Sequence, residues 1–220
     1  MSYANCSEPR RNQPAASALV RVARALGHAP SFSHANFEVI PVSKVTKLKP
    51  RQRPAAALDT PTDLAPEAVK AVSEALNTIL ADSYALYLKT KNFHWHVSGP
   101  HFRDYHLLFD EQAEGILANT DDVAERVRKI GGVTLKSIGQ ISKTQTIEDN
   151  EDEYVTPSDM LRELMNDNKK IVAFMREAHG ICDDHEDVAT ASLIEVWIDQ
   201  AEKRLWFLFE ASRMADRQGH

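Results

Sequence analysis

The stretch 91–132, KNFHWHVSGPHFRDYHLLFDEQAEGILANTDDVAERVRKIGG, decides how the chain is read. It holds His94, His96, His101 and His106, then carboxylates at Asp110, Asp121 and Glu125 separated by helical steps. Imidazole with carboxylate is the donor set of a borderline-hard transition ion such as iron. Gly99-Pro100 breaks the chain, and Pro100 suits the first turn of a new helix. From there Phe102, Leu108, Phe109, Ile116, Leu117, Val123, Val127 and Ile130 recur at helical spacing, and Gly131-Gly132 is a stop signal. At about 100° per residue, His106, Asp110, Asp121 and Glu125 fall within an arc of roughly 100°. Along the axis Asp110 and Asp121 are about 16 Å apart, at about 1.5 Å per residue. One metal centre cannot use both pairs from one helix.

The missing partner comes either from another helix of the same chain or from the same helix of a second subunit. Two-fold symmetry makes the second natural. Antiparallel copies set His106 and Asp110 of one chain against Asp121 and Glu125 of the other, twice over. His94, just before the break, folds back over His106. The expectation is an intersubunit metal site, two per dimer. An absence agrees with this. Di-iron enzymes of the bundle type place Glu-x-x-His pairs inside one bundle, and no His in this chain has Glu three residues before it.

The spacing His94-x11-His106-x3-Asp110-x10-Asp121-x3-Glu125, with the words HWHVSG, HLLFDE and DDVAERVRKIGG, resembles the Dps family of miniferritins, which protect DNA during starvation. The resemblance spans roughly residues 64–211. It implies an all-α, ferritin-like four-helix bundle assembled into a homo-oligomer, a shell of twelve subunits. It implies His94, His106 and Asp110 from one chain and Asp121 and Glu125 from the other as ligands of iron. Trp95 matches the aromatic residue beside that site and is either an electron donor or a packing residue. The implied activity is a ferroxidase. It oxidises ferrous iron with hydrogen peroxide in preference to dioxygen and stores ferric mineral in the hollow shell. The alternative is a non-catalytic, nucleoid-compacting DNA-binding protein on an inherited fold. His96 and His101 are read as neighbours rather than ligands, and Glu111, Glu114 and Asp122 as surface charge.

The rest of the chain is consistent with one domain and an appendage. With 220 residues it can bury a good core. No apolar run approaches the ~20 residues of a membrane span, and no long apolar stretch marks a secretory signal. Cys6 and Cys182 form no disulfide framework, which fits a cytoplasmic location, possible nucleoid association included. Cys182 reads equally as core. No Walker loop, dinucleotide glycine motif, zinc cysteine cluster or nucleophilic triad is present.

Charge is divided unevenly. Residues 1–58 carry nine Lys or Arg against two acids, +7, which leaves −13 for the remainder of a chain whose net charge is −6. Residues 1–63 are rich in Pro and read as a flexible N-terminal extension, with 64–220 as the bundle domain. Within the extension, 18–27 is a short amphipathic exception that suits a transient helix or an organelle address. Lys44, Lys47, Lys49, Arg51 and Arg53 form a basic arm suited to DNA phosphates without base readout, or to a solubilising tail. The alternative is a start downstream, for instance at Val42, which would make residues 1–41 an artefact of start-site assignment.

Four long helices are expected. The first begins at Asp63–Pro66 and reaches about Val97; the second spans about 101–130. A long crossover, 131–157, carries a short helix near 137–143. The third helix is capped by Ser158 and closed by His179-Gly180 after about Ala178. An acidic turn at 183–187 follows, whose Asp183, Asp184 and Asp187 line a pore for ferrous ions or form a solvated loop. The fourth helix ends near Met214, with Leu193, Ile194, Trp197, Ala201, Leu205, Leu208 and Phe209 inward.

Overall fold

The structure, a computed structural model, describes residues 58–213, which lie in one compact unit, Gln52–His220. Its elements are α1 (Pro66–His96), α2 (Phe102–Lys129), a short α3 (Ile138–Thr144), α4 (Pro157–Asp184) and α5 (Val188–Ser212). Among the described residues there is no strand. None of the described helices is long and apolar enough to cross a membrane. Helix α1 packs chiefly on α2 and α4 on α5; α1 and α4 join the two pairs, and α2 meets α5 more sparsely. This is the expected four-helix bundle with one long crossover.

The apolar stripes read from the sequence form the core. Val72, Leu76, Ile79, Leu80 and Leu86 of α1 meet Phe109, Ile116, Val123 and Val127 of α2. Leu161, Leu164 and Ile171 of α4 and Ile194, Trp197 and Leu208 of α5 complete it. Ser83 keeps its hydroxyl satisfied by donating to Ile79 O at 2.7 Å. Phe102, Leu117 and Phe209, read as inward or periodic, are 45%, 40% and 50% exposed. Phe102 is the first residue of α2, at the end of the bundle, while Leu117 and Phe209 lie at the edges of their helices' apolar stripes, and Leu208 rather than Phe209 takes the core position on α5.

Helix ends explain most other differences. Pro66 opens α1, and the N-cap is Ala65 without a side-chain cap, so Asp63 plays no capping role. Helix α4 starts one residue before Ser158. Thr156 Oγ1 accepts from Asp159 N at 3.2 Å, and Pro157 occupies the first turn, where its missing N–H costs nothing. His179-Gly180 does not end α4. Ala178 and Cys182 on either side are both buried, so the core contact continues through the glycine. Asp183 and Asp184 therefore sit in the last turn of α4, and the turn itself is His185–Asp187, with Glu186 at φ +57°.

Helix α2 ends as the double glycine predicts. Gly131 has φ +87°, Gly131 N donates to Arg128 O and Gly132 N to Val127 O, the paired bonds of a Schellman cap. Gly132 is fixed by contact, since a Cβ there would lie 2.0 Å from Ser73 Oγ. Residues 58–60, read with the extension, lie at this end of α2: Arg128 donates to Leu58 O and Thr60 Oγ1. The crossover is tied down by Asp82 of α1, which is buried and accepts from Thr146 Oγ1 at 2.8 Å and Ile147 N at 3.1 Å.

Candidate metal centre

The α1–α2 turn brings together three of the residues expected as ligands. Gly99, at φ +103°, reverses the chain between the last turn of α1 and the first of α2. His94 and His106 then face each other, with ring centroids 3.8 Å apart and planes 21° from parallel. Each Nδ1 lies 2.8 Å from the other residue's carbonyl oxygen. A carbonyl only accepts, so both Nδ1 atoms carry the proton and both Nε2 atoms keep a lone pair. The sequence expectation that His94 folds over His106 is met, and the reciprocal bonds add the tautomer. Phe102 lies against His106, with centroids 5.0 Å apart.

Asp110 is one helical turn on from His106. Its Oδ1 lies 3.8 Å from His94 Nε2 and 2.5 Å from Lys91 Nζ. The Lys91 hydrogen bond is the main cause that holds the Asp110 carboxyl below the usual carboxylate range. Partial burial pulls the other way, and the Lys91 charge adds to the depression, as does that of His94 or His106 whenever its Nε2 also carries a proton. Asp110 is therefore a committed carboxylate whose present cation is an ammonium. Sequence reading passed over Lys91, although it lies one helical turn before His94 on the same face of α1.

Asp121 and Glu125 stand exposed in the C-terminal half of α2, and Glu125 pairs with Lys129 at 3.0 Å. They are not brought to His94, His106 and Asp110 within the chain. Among the described residues no group of three or more His, Cys, Asp or Glu is placed to hold a metal. Trp95, beside His94, is 58% exposed, so within one chain it does not pack into the helical hairpin. His96 turns its Nδ1 to Asn92 O at 2.8 Å, and His101 tilts against Tyr105. Glu111, Glu114 and Asp122 are exposed.

The three acids read as pore-lining have different surroundings. Asp183 is largely exposed and faces His179 at 3.1 Å. Asp184 is exposed near His185. Asp187 is buried and caps α5: its Oδ1 accepts from Thr190 N at 3.0 Å and from the Arg126 guanidinium at 2.6 Å. It is spent on joining α2 to α5. Burial first, then the charges of Asp187 and Asp183, push the Cys182 thiol up to about 12, which leaves it an inert core residue. The basic residues Lys44, Lys47, Lys49, Arg51 and Arg53 lie outside the described residues.

A buried ionic group also escaped sequence reading. Lys89 of α1 meets Asp167 at 2.8 Å and Glu163 at 3.0 Å on α4. The periodic apolar stripe hides such a residue, because a lysine at a core register is normally exposed.

Comparison with known proteins agrees with this geometry. The ferritin-like domain family matches residues 73–213. An uncharacterized low temperature-induced protein of Nostoc sp. is 32% identical over 146 residues, covering 66% of this chain and 82% of its own. DNA protection during starvation protein 2 of Bacillus anthracis is 32% identical over 142 residues, covering 63% of this chain and 94% of its own. Among solved structures, Dps from Thermosynechococcus elongatus superposes with a TM-score of 0.67 at 28% identity, covering 70% of this chain and 98% of that one. DpsC from Streptomyces coelicolor gives 0.70 at 26% identity, covering 73% and 94%. The bundle with its single crossover, the paired histidines at its α1–α2 turn and these matches together show that the chain belongs to the ferritin-like family and, within it, to the Dps proteins.

Proposed function

We propose that this protein is a ferroxidase and iron-storage protein that removes ferrous iron and hydrogen peroxide together. The observation that carries the reading is the reciprocal His94–His106 bonding, which leaves two Nε2 lone pairs beside a carboxylate held ionised. His94, His106 and Asp110 of one subunit would share each ferrous substrate site with Asp121 and Glu125 of a two-fold partner, giving two sites per dimer. Neutral imidazole binds ferrous iron loosely enough for turnover, and carboxylate favours the harder ferric product. Two ferrous ions each give one electron, and one peroxide takes both with two protons to become two waters, so no hydroxyl radical is released. Lys91 must swing away from Asp110 as iron arrives. Trp95, open to solvent within the chain, is suited to pass an electron or to pack against the partner.

The ferric product would hydrolyse and collect inside a closed shell of twelve identical subunits. Large exposed apolar side chains, including Leu88, Val196, Trp206 and Phe209, fit burial between subunits. A second reading, DNA compaction without catalysis, is favoured by the +7 charge of residues 1–58.

Anaerobic ferrous titration followed by peroxide tests the proposal. Saturable ferrous binding is expected, then rapid oxidation without spin-trapped hydroxyl radical and growth of a mineral core. Saturable binding, rapid oxidation and core growth should all be lost in the His94→Ala/His106→Ala double variant. Ferrous oxidation no faster than in buffer would reject the ferroxidase and leave the compaction reading.

A further inference from the structure

The sparse contact between α2 and α5 leaves a groove of about 380 Å³, within the roughly 300–1,000 Å³ range of small-molecule sites. Leu108, Ala118 and Phe207 make its apolar walls. Gly115 opens it further, since a Cβ there would meet nothing within 4 Å. The walls are fixed rather than loose. Gln112 Nε2 donates to Arg204 O across the helices at 3.1 Å, and the Asn119 amide donates to Gln200 Oε1.

The polar side of the groove is cationic. Arg204 lines it and donates Nε to Asn168 Oδ1 at 3.0 Å. Among the described residues no carboxylate pairs with Arg204, although residues 59–220 carry a net −13. A guanidinium withdrawn from water calls for an anion, and burial lowers the pKa of this one to about 10. Lys203 stands beside it, its Nζ 5.8 Å from the centre of the Phe207 ring. Glu111 is the one acid among the described residues lining the groove.

We propose that the α2–α5 groove is a binding site for a small amphiphilic carboxylate. The carboxylate lies on Arg204 and Lys203, and an aliphatic tail runs along Leu108, Ala118 and Phe207. Charge complementarity selects the head and the apolar walls select the tail. The site shares no ligand residue with the proposed iron centre and does not depend on it.

Octanoate is the probe, with octanol as its uncharged counterpart, both titrated into the full-length assembled protein by calorimetry. Saturable octanoate binding is expected, with octanol at least about tenfold weaker through loss of a charge-assisted bond. Lys203→Gln should weaken octanoate by up to about fivefold, the scale of an exposed ion pair. Gly115→Leu should abolish binding, because its side chain fills open space, while the shell and ferrous oxidation persist. Acetylation of Lys203 in the assembled protein should be rapid and then slowed by octanoate alone. No saturation up to about 10 mM overturns the proposal, as does equal binding of octanol or unchanged binding in Gly115→Leu. Lys203 already protected before any ligand is added means a second copy covers the groove, and this too overturns it.

Discussion

At Asp110 one carboxylate has two claimants, an ammonium now and, in the proposed reaction, a metal. The Lys91–Asp110 pair is partly exposed, so solvent screens it and it holds the carboxylate only weakly. Lys91→Met should therefore tighten ferrous binding by no more than about fivefold, measured by anaerobic titration; weaker binding would show that Lys91 assists the metal instead of competing with it. Lys89 poses the opposite case, a charge buried for structure. Burial alone would lower its pKa, but the hydrogen bonds and charges of Asp167, then Glu163, raise it. Its contribution is complete below the ordinary lysine range and is lost as pH rises through the higher folded value. Asp167 is raised by burial, against the pull of Lys89. Near neutrality Lys89 stays an ammonium, because two carboxylates lie within 3.0 Å of it. Lys89→Met strands both acids and should cost about 3–5 kcal/mol near neutral pH. Without Lys89, Asp167 takes a proton at higher pH than before, so the loss should shrink as pH falls toward about 5. A melting-temperature deficit that is equal at both pH values would contradict the buried-pair account.

Helix boundaries show what a sequence can and cannot disclose about an element. The α1–α2 turn and the end of α2 were legible because glycines at Gly99, Gly131 and Gly132 mark geometry that other residues resist. The extent of α4 was not, because Gly180 signals a stop only when core contact ends there, and Cys182 continues it. That His94, His106 and Asp110 come together was legible from spacing. Lys91 was not, since a lysine near a helix end is ordinarily solvated. Asp187 shows the same limit, because charge alone does not tell a cap from a pore wall. This separates two predictions. Asp183→Asn with Asp184→Asn should slow iron uptake at low ionic strength while leaving melting unchanged, if these acids draw cations. Asp187→Asn should instead lower stability by about 1–3 kcal/mol, by weakening the α5 cap and stranding Arg126. Uptake kinetics and thermal melting on both variants distinguish the roles, and a destabilised Asp183/Asp184 variant or an unaffected Asp187 variant would reverse the assignment.

Across the whole molecule, a +7 segment precedes a −13 body. Many such segments on one shell would multiply weak phosphate contacts by avidity, and the binding should weaken steeply with salt. Deleting residues 1–55 should abolish gel retardation of DNA yet leave ferrous oxidation unchanged; equal retardation at equal salt would place DNA binding on the body. The central claim concerns two chains at once, because the proposed ligand pairs of α2 lie too far apart to meet within one. Assemblies mixed from His94→Ala/His106→Ala chains and Asp121→Ala/Glu125→Ala chains test it most directly. Each variant alone should lack rapid ferrous oxidation. In every verified mixed dimer, the intact histidines of one chain meet the intact carboxylates of the other, so one of its two sites should recover. Mixed dimers with no recovery at all would contradict a centre shared between subunits.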